Sequence, residues 1–271
     1  MASKGSYYAK HKAKIHGTPE EQAQKRLQQV AIHEPLRKTF EEGKVLLIDK
    51  PLHWTSFDVV RKIRNSIKIK KVGHAGTLDP LATGLLIVCT GKFTKKINEY
   101  MAQVKEYTGA FTLGATTATY DKESDPENQQ PFEHITELQI KQAAQQFVGA
   151  IEQFPPVYAA IKKDGVAQYE LARRGKDVDL QARPITIYEF EITAVALPVV
   201  QFRVACSTGT YIRSLAHDIG QALQCGAYLS ELRRTKIGDF DTANAVTLDA
   251  FLEQLKADNE AMNVVTNNEE N

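Results

Sequence analysis

The chain has 271 residues, 42% hydrophobic and 25% charged, with a formal net charge of +1. That is the make-up of a globular protein with enough length to bury a sizeable core in one or two domains. No apolar run approaches the roughly 18 residues of a membrane span, Met1 to Tyr8 lack the apolar stretch of a secretory signal, and Cys89, Cys206 and Cys225 form neither a disulfide framework nor a Cys-x-x-Cys metal site. The expectation is a cytoplasmic protein with no membrane association. The near-neutral total hides a polarity: residues 1–105 carry 20 Lys/Arg against 9 Asp/Glu, and residues 106–271 carry 14 against 24. A basic N-terminal half points to a polyanionic partner, with nucleic acid the natural candidate.

Residues 1–43 read as a basic, partly disordered arm, with a weakly held helix over 19–34 that starts at Thr18-Pro19-Glu20-Glu21. Val45–Ile48 predicts a buried strand running into the turn Asp49-Lys50-Pro51. Thr55-Ser56-Phe57-Asp58 opens a helix whose apolar stripe is Phe57, Val60, Ile63 and Ile67. Its other faces bring Arg61, Lys62, Arg64, Lys68, Lys70 and Lys71 within eleven residues, without an acid among them. Leu85–Cys89 predicts a second buried strand, and residues 92–102 a short helix. From Lys105 the pattern alternates, with Tyr107, Phe111 and Leu113 on one face of a strand. Residues 119–134 read as a loop, and Thr136 with Gln139 as a capping box opening a helix to about Val148. A strand is expected over Phe154–Lys162, a turn at Asp164-Gly165 and a helix over Val166–Arg174. Ile185–Ile192 and Val200–Cys206 predict strands, the second with Val200, Phe202, Val204 and Cys206 inward. Gly209-Thr210 leads into a helix over Tyr211–Leu223, Gly226–Ile237 reads as a strand region, and Leu248–Leu255 as an amphipathic segment before an acidic tail. Strands outnumber helices, so the expected fold class is α+β: a mixed, largely antiparallel sheet flanked by helices.

The stretch with the strongest chemical signature is Gly73-His74-Ala75-Gly76-Thr77-Leu78-Asp79-Pro80-Leu81-Ala82-Thr83-Gly84. One carboxylate, Asp79, stands among glycines that permit close backbone approach and before a proline that holds it extended. Two readings are open: a carboxylate on the floor of a cleft, or a helix N-cap with Pro80 at the first helical position. Phosphate-loop, dinucleotide, zinc-protease and serine-hydrolase motifs are all absent, and the seven histidines lack metal-ligand spacing, so no metal is expected. A carboxylate nucleophile needs a neighbouring cation to aim it. Arg213, early in its helix, is a candidate, with Asp218 or solvent as its alternative partner. Tyr107 is either a core aromatic or a ring that stacks on a flipped base. His74 is either structural or in contact with substrate.

This stretch closely resembles the catalytic motif of the tRNA pseudouridine synthase B family. Four further segments resemble that family in the same order: Lys50-Pro51 with Thr55-Ser56, Lys105-Glu106-Tyr107, Gly209-Thr210-Tyr211-Ile212-Arg213, and Leu232-Arg233-Arg234-Thr235. The resemblance covers about residues 44–240 and implies the pseudouridine synthase catalytic fold there. It further implies Asp79 as nucleophile, Arg213 as its ion-pair partner, Tyr107 stacking on the uracil, and Tyr211 and Leu232 completing the pocket. His74 would hold flipped-out nucleotides and Lys50 support the site. The implied reaction isomerises uridine to pseudouridine at position 55 in the T loop of tRNA, without cofactor or guide RNA, in a monomer that also assists tRNA folding. Residues 160–183 resemble the family's RNA-clamping thumb. Three positions depart from the family pattern: His53 in place of Gly, Ala75 in place of Thr and Ala159 in place of Ser. His53 carries strain if its φ is positive. Residues 241–271 are expected to be a short segment and acidic tail with no C-terminal RNA-binding PUA domain.

Overall fold

The computed structural model describes residues 32–159, 162–163, 166–167 and 180–269. The chain forms two compact units, one of residues 1–103 with 233–271 and the other of residues 104–232.

The first unit opens with helix α1 (Glu34–Glu42), which starts after His33 with proline in its first turn and buries Leu36 and Phe40, one helical turn apart. Burying two such side chains stabilises by roughly 1.5–3 kcal/mol each. The expected arm is thereby shortened, because among the described residues Ile32 already packs against the core that Leu36 and Phe40 enter. Glu34 starts a helix where the sequence suggested the end of one, and residues 19–31 of that expected helix lie outside the described residues. Strand β1 (Val45–Lys50) follows, then helix α2 (Ser56–Ile67). Thr55 caps α2 in a complete capping box with Asp58. Val60, Ile63 and Ile67 are buried as the periodicity predicts, but Phe57 is 59% exposed. Ser56 and Val59 take the buried face at that end of the helix.

Strands β2 (Val72–His74) and β3 (Ala82–Thr90) come next. β3 pairs antiparallel with both β1 and β2. Its alternating side chains fill two cores: Leu86 and Val88 pack with Phe40, Ile63, Ile67 and Leu255, and Leu85, Ile87 and Cys89 pack with Ala75, Ile237 and Phe93. Burial on both faces is why the run reads as continuously apolar and not alternating. A 3-10 turn (Gly91–Lys96) and helix α3 (Ile97–Ala102) close this part of the chain.

The second unit begins with β4 (Lys105–Leu113), followed by helix α4 (Glu137–Gln145), which Thr136 and Gln139 cap as expected. β5 (Gly149–Gln153) comes next. Residues 154–159 form no strand; Pro155 and Pro156 supply no amide donors for a ladder. Lys162–Lys163 (β6) and Val166–Ala167 (β7) pair antiparallel, so residues 166–167 are strand where a helix was expected. The expected turn at 164–165, the remainder of that helix and most of the thumb-like excursion lie outside the described residues. β8 (Arg183–Ala196) and β9 (Val199–Cys206) follow, then helix α5 (Ile212–Ala222) and strand β10 (Ala227–Ile237). The strand order is β10-β4-β9-β8-β5; β4, β8 and β5 join their β8 or β9 neighbours antiparallel. Val200, Phe202, Val204 and Cys206 are all buried, and Phe202 stacks on Phe111 at 5.9 Å. On the opposite face Arg203 bonds Glu106, Glu189 and Glu191 across three strands.

Residues 233–237 of β10 belong to the first unit, where β10 neighbours β3. There β11 (Phe240–Asp241) pairs with β10, β12 (Val246–Thr247) pairs parallel with β1, and helix α6 (Leu248–Glu269) completes the core with Leu248 and Leu255. The C-terminal part is thus one helix well beyond Leu255. The architecture is the expected α+β class, largely antiparallel. Among the described residues no helix is long and apolar enough to cross a membrane.

Candidate active site

Asp79 lies between β2 and β3 in irregular backbone, and its carbonyl accepts from Ala82 N at 3.1 Å in a turn that feeds β3. The helix N-cap reading is therefore excluded. Three anchors within the first unit hold this loop. Ser56 Oγ donates to Leu78 O at 3.1 Å and accepts from Leu78 N at 2.8 Å, gripping the residue just before Asp79 from both sides. His53 N donates to Pro80 O at 2.7 Å, just after it. Arg234, buried to 1% exposure, donates through Nε to Leu85 O at 2.8 Å and through Nη2 to Gly76 O at 3.1 Å. His53 has φ 69°, so the strain expected of a side chain at that position is present. Gly84, at φ 99°, has room for no other residue: a Cβ there would stand 2.3 Å from Arg234 O.

Lys50 is fully buried, and its Nζ donates to Pro51 O at 2.9 Å and Trp54 O at 2.6 Å. Burial pushes its pKa down to about 7, against the opposing pull of the Asp79 carboxylate. His74 sits in β2 opposite Val88. Burial, and then the Arg234 charge, hold its pKa below the ordinary value, favouring the neutral ring. The first unit thus gathers Asp79, Lys50 and His74 around one buried guanidinium.

The second unit carries the other expected site residues. Tyr107 is buried in β4, Leu232 is half-buried near the end of β10, and Tyr211 is the N-cap of α5. The Gln153 side chain fixes the Tyr211 backbone, accepting from its N at 2.8 Å and donating to its O at 3.1 Å. Arg213 is 5% exposed; Nη1 donates to Thr119 O at 3.1 Å and Nη2 to Tyr158 O at 3.4 Å. Its Nε lies 3.7 Å from Asp121 Oδ2. Asp121 is thus an acid beside it within this unit. Asp121 is itself buried and held by Thr119 Oγ1 at 2.6 Å and Glu123 N at 2.9 Å. Tyr120, at φ 62°, stacks on His217 with centroids 3.9 Å apart.

Comparison with known proteins decides the lineage. Residues 64–212 match the N-terminal domain of the TruB family pseudouridylate synthases, and residues 213–266 match the tRNA pseudouridylate synthase B C-terminal domain. The tRNA pseudouridine synthase B of Flavobacterium johnsoniae is 55% identical over 222 residues, 79% of this chain and 97% of the relative. That of Phocaeicola vulgatus is 51% identical over 222 residues, 80% of this chain and 94% of the relative. The chain belongs to the TruB family of pseudouridylate synthases. Among solved structures, a Cbf5-Nop10-Gar1 complex matches with a TM-score of 0.63 and 32% identity, covering 81% of this chain and 56% of that one. An H/ACA RNP bound to a substrate RNA containing 2'-deoxyuridine matches at 0.60 and 29%, covering 80% and 54%. This TruB-family chain therefore spans little more than half the length of those two chains.

Three supporting residues escaped the sequence reading. Asp121 lay in what read as a plain acidic loop, although an Asp whose side chain accepts from the backbone two residues on, here Glu123 N, is a turn signature. Gln153 and the buried role of Arg234 carried no local signal, because the backbone each serves lies 58 and 158 residues away in sequence.

Proposed function

We propose that this chain isomerises uridine to pseudouridine at position 55 in the T loop of tRNA, with Asp79 as nucleophile. The observation that carries this reading is the way Asp79 is displayed: in irregular backbone, gripped on one side through Leu78 and on the other through Pro80. A group that must meet a reacting base needs such preorganisation. The family membership, and relatives named tRNA pseudouridine synthase B that match along nearly their whole length, support it further.

In this reaction the bond between the ribose and N1 of uracil is broken, the base turns, and the ribose is rejoined to C5; the C5 proton leaves and N1 takes one up. Product and substrate are isomers, so no cofactor is consumed. The base must leave its stack to be reached. Arg213 is the ion-pair partner of Asp79, Tyr107 stacks on the uracil, Tyr211 and Leu232 complete its pocket, and His74 holds the flipped nucleotides. Lys50 supports the site through its bonds to Pro51 and Trp54. The protein works in the cytoplasm as a monomer without a guide RNA, and binding of the T arm also assists tRNA folding.

The test is pseudouridine formation at the T-loop uridine of an unmodified tRNA transcript, in buffer free of metal chelates and cofactors. The parent forms product, and Asp79→Asn forms none while still binding tRNA. Product from Asp79→Asn would remove its role as nucleophile. Binding and refolding without product from either protein would leave a tRNA chaperone in place of an enzyme.

A further inference from the structure

Helix α2 carries a side chain that its own packing does not explain. Phe57 is 59% exposed, while Ser56, Val59, Val60, Ile63 and Ile67 make the buried face. Positions 57, 61 and 64 are spaced by four and three residues, which puts Phe57, Arg61 and Arg64 on one line about 10 Å long at 1.5 Å per residue, and Lys68, the left-handed C-cap at φ 53°, follows at the end of the helix. Phe57 and Lys68 are exposed at its two ends, and Arg61 and Arg64 are half-exposed between them. The one acid in the helix, Asp58, is buried in the N-cap and pairs with Arg61 at 2.6 Å, which steadies that guanidinium. Between Asp58 and Asp79 there is no other acid, while there are six Lys/Arg. The head of this line is tied to the reacting centre, because Ser56, next to Phe57, is the residue that grips Leu78.

We infer that this face of α2 is a track for a single RNA strand, with Arg61, Arg64 and Lys68 on successive phosphates and Phe57 packed against the base or ribose of a nucleotide neighbouring the one that reacts. A solvated helix face would need the charges but not the phenyl ring, and a protein-docking face would need more apolar area than one ring supplies. A cationic row ended by an aromatic is the combination that binds single-stranded nucleic acid: charges track the backbone and a ring accepts a base of any identity. The inference rests on RNA being the substrate of the Asp79 site, and it adds where the strand enters that site.

Binding of a T-arm RNA hairpin, measured between 50 and 200 mM salt, separates the two contributions. Substituting glutamine at all three of Arg61, Arg64 and Lys68 should reduce the slope of log affinity against log salt by about two to three, since each phosphate contact contributes roughly 0.7–0.9. Phe57→Ala should weaken binding about ten-fold at every salt concentration with the slope unchanged, and Phe57→Trp should restore it. Lys141→Gln, on α4, serves as a control that keeps both affinity and slope. Phe57 and Lys141 lie outside the core, so their variants should keep the parent's melting temperature; the triple variant also gives up the pair between Arg61 and buried Asp58, so it is read by its salt slope and not by its stability. A triple variant with the parent's slope, or Phe57→Ala with the parent's affinity, overturns the proposal and leaves a solvated or protein-facing surface. That result would not touch the Asp79 reading, which is scored on product; nor would a parent that binds the hairpin without converting it prevent the track from being measured.

Discussion

A lysine without solvent contact must give up either its charge or its hydration, and Lys50 stands near the balance point. Its ammonium has two carbonyl acceptors and feels the Asp79 carboxylate, yet burial still brings its pKa down to about 7. In the unfolded chain the same group titrates near 10.5. Between these values the unfolded chain holds the proton that the folded chain has released, so Lys50 makes stability rise with pH from about 7 to about 10.5. Below 7 both states are protonated and the full burial cost is felt. Lys50→Met removes this contribution. Urea unfolding across pH 7–10 should show parent stability climbing by about a few kcal/mol more than that of Lys50→Met; equal climbs would mean that Lys50 is not the titrating group. Lys50-Pro51 was visible in the sequence as a motif. That its amine is enclosed was not, because the enclosure depends on strands far along the chain, such as β3 and β12, packing on β1.

Helix α2 shows which features of an element are local and which are not. Its start, its capping box and its Val60, Ile63, Ile67 stripe follow from short spacings, and each is found. The placement of Phe57 does not follow, because 57 and 60 share a face only loosely and the tertiary partner is what chooses which flank is covered. Ser56 looked like a routine first-turn residue; its hydroxyl instead closes two hydrogen bonds with Leu78, 22 residues away. Ser56→Ala leaves the buried N–H and C=O of Leu78 without that partner, a cost of about 1–3 kcal/mol. It also frees the residue before Asp79. Turnover should fall further than tRNA affinity, and thermal melting should show the loss of stability. A variant with parent turnover would mean that the grip does not set the position of Asp79.

At the scale of the molecule, the α+β class and most elements were legible because alternation, helical spacing and Gly or Pro punctuation are short-range signals. The partition of the chain was not. Residues 233–271 return to complete the unit begun by α1 and β1, and only long-range pairings such as Ile48 with Val246 reveal it. The return also redistributes charge: the first unit holds 23 Lys/Arg against 17 Asp/Glu and the second 11 against 16, so the split survives in softened form. β3 stands at the middle of the first unit, with both faces in a core and a strand on either side. Its amides have no route to water by fraying or by shedding one neighbour. In native-state hydrogen exchange, the amide protons of Leu86 and Val88 should survive until the whole unit opens, with a urea dependence equal to that of global unfolding. Faster exchange there, through a small opening, would mean that the strand leading away from Asp79 breathes. Slow exchange would mean that Asp79 is mounted on the last part of its unit to come apart.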